Sequence, residues 1–433
     1  MPHPATALGL PIVIALVLGL LAVGVSRVQA ADGPSPGPAV AADGVGWPQW
    51  AGPQRNFAVP GPGVGTWGDG GPKKLWQRDL GNGYSSIASD GQNLYTLDRD
   101  GDRERVLAVR ADSGETVWES AYDAPHLEGM RMGYGSGPHS TPLVEGGRVF
   151  TVGATAQFVA WNAGDGKELW RHDLWGELGG NLLRRGYAAS PLAYGDTVIL
   201  PVGGEAQGFI AFDQGTGEVR WRSPSFDASQ SSPILIEASG GPQLIGFVAD
   251  QVVAVNPATG EDLWRHPHPA GAVYNIGTPQ FTDDGLLVVS SAYGGGTRGL
   301  APSEDRAEER WHTSRMKVHF SNTIQTGGLL LGSSGNVGSL ILTAVDLANG
   351  DVLWKNRGLG RVNLLRLGDG RVLALGEDGD LSLLRVDREG VEVLSSSRIH
   401  DGKTWTVPIL VGGSLYLRNE GALMAFELPV APG

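Results

Sequence analysis

Seven tryptophans recur along this chain at nearly constant spacing: Trp76, Trp118, Trp170, Trp221, Trp264, Trp311 and Trp354 are separated by 42, 52, 51, 43, 47 and 43 residues. Glycine stands four positions before five of them, at Gly114, Gly166, Gly217, Gly260 and Gly350. Asn162, Asp213, Asn256 and Asp346 in turn stand four positions before the last four of those glycines. An Asp or Asn closes a turn onto its own backbone, and the glycine takes the positive φ that such a hairpin demands. Apolar residues alternate on either side of the turn, as in FVAW, FIAFD, VVAVN and LTAVD, which is the period of a β-strand. So long a period, repeated so often, is the mark of a repeat architecture.

Each unit also has a first half. The small polar segments YSSIAS, HSTPLV, AASPLA, SSPILI, GTPQF, FSNTIQ and WTVPIL introduce an apolar run, a glycine turn and a second apolar run. Four strands in about 45 residues match one blade of a β-propeller. Seven units end at Trp118, Trp170, Trp221, Trp264, Trp311, Trp354 and, without tryptophan, near Val393. The last unit, Thr404 to Leu428, offers only three strands, and the upstream KKLWQRDL with Trp76 offers the missing one. The sequence therefore predicts an all-β chain: an eight-bladed β-propeller of four-stranded antiparallel blades over residues 73–428. An N-terminal strand closes the ring, so that no sheet edge stays free. The repeat tryptophans are expected to wedge between neighbouring blades.

Upstream of the ring, residues 8–25 are apolar and Val28-Gln29-Ala30 fits the pattern before a signal-peptidase cut. Residues 1–30 read as an export signal or, uncleaved, as a membrane anchor. Residues 31–72 read as a Pro/Gly-rich linker and leader. Export predicts a periplasmic or cell-envelope location, with membrane association through the N-terminal segment. The chain has no cysteine, which excludes disulfides, thiolate catalysis, Cys-ligated zinc and a lipid-bearing cysteine. Its formal charge of −13 lacks the basic footprint that nucleic-acid binding needs. DRDGD at 98–102 has its glycine fourth, where a calcium loop needs it sixth, and reads as a hairpin tip.

The hairpins AFDQGTGEVRW and AVNPATGEDLW, each followed by a Ser/Thr-Pro start, resemble the pyrroloquinoline-quinone (PQQ) repeat family. The resemblance runs over residues 75–428, and WPQWAGPQRN is similar to the leader before many such propellers. One branch, the quinone-dependent alcohol dehydrogenases, implies PQQ held between a tryptophan and a disulfide of adjacent cysteines, over a calcium ion with an aspartate base. No cysteine and no segment matching that aspartate is present, so the sequence assigns no catalytic residue and no metal ligand. A PQQ-dependent alcohol or sugar dehydrogenase remains the alternative reading. Another branch resembles the lipoprotein subunit of the outer-membrane β-barrel assembly machinery and implies a non-catalytic binding scaffold. This chain departs from it in lacking the lipid-anchoring cysteine.

In a propeller, the loops joining one blade's outer strand to the next blade's inner strand open on one face around the central channel. Three of these are unusual. HLEGMRMGYGSGPHSTP carries Arg131, Tyr134 and His139; LWGELGGNLLRRGYAASP carries Asn181, Arg184, Arg185 and Tyr187; WHTSRMKVHFSNT carries Arg315, Lys317, His319 and Asn322. Equivalent positions add Tyr84, Gln230, Tyr274, Asn275 and Trp405. Converging Arg, Lys and His in an acidic protein concentrate anions, and Arg grips a carboxylate or phosphate in bidentate fashion. The expectation is a monomeric, non-catalytic scaffold whose basic funnel face recognises a protein, a peptide, or an anionic small molecule or glycan.

Overall fold

The computed structural model describes residues 46–61, 63–133, 135–271, 275–336, 338 and 340–431. The export signal expected over residues 1–30 lies outside the described residues. Thirty-two strands, from β1 (Lys73–Asp79) to β32 (Ala422–Glu427), form eight separate four-stranded antiparallel sheets, and no helix occurs among the described residues. Seven sheets are meanders of consecutive strands, spanning residues 88–123, 143–173, 192–222, 234–267, 280–313, 318–356 and 362–398. The eighth runs β1, β32, β31 (Ser414–Arg418), β30 (Ile409–Val411). In it β1 pairs antiparallel with β32, from Lys73 opposite Glu427 to Asp79 opposite Ala422. The eight-bladed propeller and its N-terminal closing strand are as the repeat count predicts. DRDGD is the hairpin tip between Asp100 and Arg103, paired across the turn.

The glycine and tryptophan of one motif are not each other's partners. Trp76 lies over Gly114, Trp118 over Gly166, Trp170 over Gly217, Trp221 over Gly260 and Trp311 over Gly350, so each ring sits on the hairpin of the next blade. A Cβ added at any of those glycines would come within 2.4–2.7 Å of the ring. The indole N–H of Trp76, Trp118, Trp170 and Trp311 donates to the carbonyl three residues before that glycine: Ala111, Ala163, Gln214 and Leu347, at 2.8–3.1 Å. Trp76 of the closing strand makes the same contact as Trp118, Trp170 and Trp311, so the seam it closes is chemically like theirs. Trp264 departs from the pattern and donates to Gln243 of its own blade. Gly217 has φ +77° and its absent Cβ faces the Trp170 ring at 2.7 Å. Gly217→Ala is therefore expected to lower stability by about 1–3 kcal/mol, through backbone strain and displacement of the ring; urea denaturation measures it.

The polar starts of the units fasten blade to blade around the channel. Thr141 N donates to Ser190 Oγ and Ser190 N to Ser232 Oγ, both at 2.9 Å. Asn322 brackets Leu364, with Nδ2 donating to its carbonyl at 2.7 Å and Oδ1 accepting its N–H at 2.8 Å. Ser86 Oγ donates to Val407 O, joining the first blade to the eighth. Small hydroxyls and amides recur here because buried backbone groups beside the channel need partners.

The leader is packed into the ring. Trp47 exchanges backbone hydrogen bonds with Ser89, Pro48 O accepts from Val144 N, Phe57 and Val59 bond to Arg366, and Gly65 N donates to Pro429 O. Ser89, Val144 and Arg366 lie toward the C-terminal ends of the inner strands Ala88–Ser89, Leu143–Glu145 and Val362–Arg366. The leader therefore crosses that end of the channel. Phe57 is fully buried against Ile324, Leu342 and Leu364. Arg55 donates to Gln49 Oε1, Pro191 O and Ser190 O, and burial pushes its pKa down to about 9.

Candidate functional site

The loops leading into the inner strands gather at the other end of the channel, around a cavity of about 160 Å³. The leader supplies its floor, Trp50, whose indole N–H donates to Thr278 Oγ1 at 2.8 Å. Tyr84, His139, Phe320 and Trp405 form aromatic walls, and Arg131 and Arg185 also line it. Tyr84 lies 5.0 Å from Trp405 and stacks on His139 at 6.3 Å; Phe320 stacks on Trp405 at 6.3 Å. The Arg361 guanidinium lies 5.4 Å over Trp405 and 5.7 Å over Phe320, and Lys403 lies 5.0 Å over Trp405. The Trp405 indole donates to Glu377 Oε1 at 2.7 Å, and Glu377 also faces Arg361 and Lys403.

The charge is less uniform than the sequence implies. Burial, then the charge and hydrogen bond of Glu420, then Glu377, raise the Tyr84 phenol to about 12. The mouth thus carries the Glu420 carboxylate beside Tyr84, a mixed cluster of Glu377, Arg361 and Lys403 around Trp405, and Arg131 and Arg185 across the cavity. The histidines add no positive charge at neutral pH. Burial pushes His139 down to about 4, and burial together with the charges of Arg361 and Arg185 brings His319 to about 4 as well. His268, buried against Ser291, falls to about 3 by the same desolvation. In the unfolded chain these imidazoles titrate near 6.5, so between pH 6.5 and about 4 the unfolded state binds more protons. Their contribution to stability is present above pH 6.5 and is lost as pH falls through that window. The thermal midpoint should decline from pH 6.5 to 4, with a shallower slope in His268→Gln.

Of the residues singled out from the sequence, Arg131, His139, Arg185, Gln230 and Trp405 line the cavity together with Tyr84. His319 adjoins it through Phe320, ring centres 4.3 Å apart. Arg184 borders a neighbouring hollow with Gly129, Met130, Arg131 and Leu182, where Arg131 N donates to Arg184 O at 2.6 Å. Tyr187 is buried in the core and donates to Pro201 O. Asn275 holds Val248 O, and Asn322 serves the blade seam described above. Arg315 and Lys317 do not line the cavity; the Arg315 carbonyl accepts from Lys355 and the Lys317 N–H donates to Ser334. Tyr134 and Tyr274 lie outside the described residues. Sequence reasoning missed Trp50, Phe320 and Arg361. Phe320 lies next to His319 in a loop already singled out, but consecutive strand residues face opposite ways, so its position carried no signal; Trp50 had none beyond the leader resemblance.

These residues do not fit a quinone centre over calcium. No carboxylate lines the cavity, and no group of three His, Asp or Glu suited to a metal occurs among the described residues. The volume also falls below the roughly 300–1,000 Å³ of typical small-molecule and cofactor pockets.

A PQQ-like repeat family model described as "Outer membrane protein assembly factor BamB" matches residues 102–356, more than half of the chain. The outer membrane protein assembly factor BamB of Burkholderia pseudomallei (strain K96243) is 24% identical over 381 residues, covering 82% of this chain and 88% of that relative. Among solved structures, BamB from Moraxella catarrhalis aligns with a TM-score of 0.57 at 19% identity, over 82% of this chain and 97% of that one. Quinohemoprotein alcohol dehydrogenase from Comamonas testosteroni aligns with a TM-score of 0.62 at 14% identity, over 91% and 82%. The structural likenesses carry the fold alone, since one scaffold hosts an assembly factor and an oxidoreductase.

Proposed function

This chain belongs to the PQQ-like repeat family of outer membrane protein assembly factor BamB, and on that premise we propose that it is an exported, non-catalytic propeller that binds protein in the cell envelope and takes part in outer membrane protein assembly. Residues 1–30 direct export, as signal or anchor, and the ring does the binding. The observation that carries the reading is the continuity of one face. Arg131 lines both the channel-mouth cavity and the hollow beside it, and that hollow carries Leu182, 44% exposed, next to Arg184. Exposed leucine beside arginine suits a protein segment that presents an apolar side chain among carboxylates. Among the described residues, no carboxylate pairs with Arg131 or Arg184.

Cross-linking tests this reading. A photoreactive residue at Leu182 should capture a component that assembles outer membrane proteins, whereas one at Val117, 42% exposed on the outer strand Thr116–Asp123, should not. Capture from Val117 and not from Leu182 moves the interface off this face.

A further inference from the structure

We propose that the channel-mouth cavity receives a single aromatic side chain of the partner, and that Arg131 and Arg185 hold an acidic residue adjacent to it. The proposal rests on the reading of this face as protein-binding and gives that contact its chemistry. Size decides first. The cavity is about 160 Å³, and an engineered apolar cavity of about 150 Å³ takes up benzene. One ring fills it; a fused cofactor does not.

The walls decide next. Tyr84, Phe320 and Trp405 stand at ring separations of 5.0–6.3 Å, within the range that aromatic side chains adopt against one another. The polar edges of both tryptophans are already committed, Trp50 to Thr278 and Trp405 to Glu377. What they turn to a ligand is ring surface. Charge then sets the direction. Glu420 flanks the Tyr84 side, which repels an anion there, whereas Glu377 is already paired with Arg361 and Lys403; Arg131 and Arg185 line the cavity as the cations that grip a carboxylate. A lysine or arginine ligand is disfavoured, because Arg361 and Lys403 already lie over Trp405.

Acetyl-Glu-Phe-amide is the test ligand, with acetyl-Gln-Phe-amide and acetyl-Glu-Leu-amide as comparisons, titrated into the full chain labelled with ¹⁵N at tryptophan. The acidic aromatic dipeptide should move the indole resonances of Trp50 and Trp405. Loss of its carboxylate should weaken binding roughly tenfold, the effect of one charge-assisted hydrogen bond, and the leucine dipeptide should bind more weakly still. Trp405→Ala should abolish the response. The double variant Arg131→Gln, Arg185→Gln should bind the Glu and Gln dipeptides alike while still preferring phenylalanine over leucine. Equal binding of the phenylalanine and leucine dipeptides by the parent, or of the Glu and Gln dipeptides, overturns the inference, as does the absence of any shift at Trp50 and Trp405. Such a failure alongside intact cross-linking from Leu182 removes the aromatic pocket and leaves the protein-binding face standing.

Discussion

Replacing Trp170 with alanine should lower the unfolding free energy by about 3–5 kcal/mol, the range for a large buried aromatic. The indole is 9% exposed. It packs against Phe150, Phe158 and Phe212, with ring centres 5.8, 5.0 and 6.3 Å away. It also sits on Gly217 and donates to Gln214 O at 3.1 Å. Truncation opens a void between the second and third blades and leaves that carbonyl without its donor. Neighbouring blades hold each other in place, so the loss is not confined to one sheet. Trp264→Ala belongs in the same range, because Trp264 is 5% exposed and bonded to Gln243. Equilibrium urea denaturation reads both. A loss below about 1 kcal/mol would place these rings at the surface and remove the wedge from the account.

Arg99→Met should cost a similar amount, about 3–5 kcal/mol, for an electrostatic reason. Arg99 Nη2 donates to Glu104 Oε1 at 2.7 Å, and both side chains are buried, at 2% and 0% exposure. Glu104 also accepts from the Tyr122 hydroxyl and from Ala154 N, which belongs to the next blade. Without the guanidinium, a carboxylate stays buried with no countercharge. A second change, Glu104→Gln, removes that charge and keeps a carbonyl acceptor in place. The double variant Arg99→Met, Glu104→Gln should therefore recover a substantial part of the loss, a coupling that a double-mutant cycle reads directly. Additive single effects would contradict the assignment of the pair.

The architecture is legible in the sequence because its cause is local. An Asx residue, a glycine and two alternating runs specify a hairpin without help from the rest of the chain, and counting hairpins counts blades. Trp76 betrays the closing strand because it repeats the same motif. What those residues touch is not local. Nothing in the motif says that Gly217 receives the tryptophan of the preceding blade, and nothing in WPQWAGPQRN says that Trp50 meets Thr278, 228 positions away.

The site divides along similar lines. Arg131 and Arg185 reach the cavity because their loops, residues 124–142 and 174–191, are long enough to fold over the mouth. Arg315 and Lys317 do not, because only residues 314–317 separate the outer strand of the fifth blade from the inner strand of the sixth. Charge type misleads as well. His139 and His319 count as basic in a composition, yet burial keeps them neutral. The carboxylates near Tyr84 escape sequence reasoning because Glu377 lies in a hairpin turn and Glu420 beyond a different strand, and only the closed ring brings both beside Tyr84.

Outer membrane protein content gives the most direct test of the claim that one face of a non-catalytic ring carries the function. It is measured in envelopes of the source organism lacking this chain, then complemented with the parent or with the double variant Arg131→Ala, Arg184→Ala. Content should fall without the chain and return with the parent. It should not return with the double variant, even though the variant protein accumulates to the same level and unfolds at the same urea concentration. Full restoration by the double variant would contradict the account.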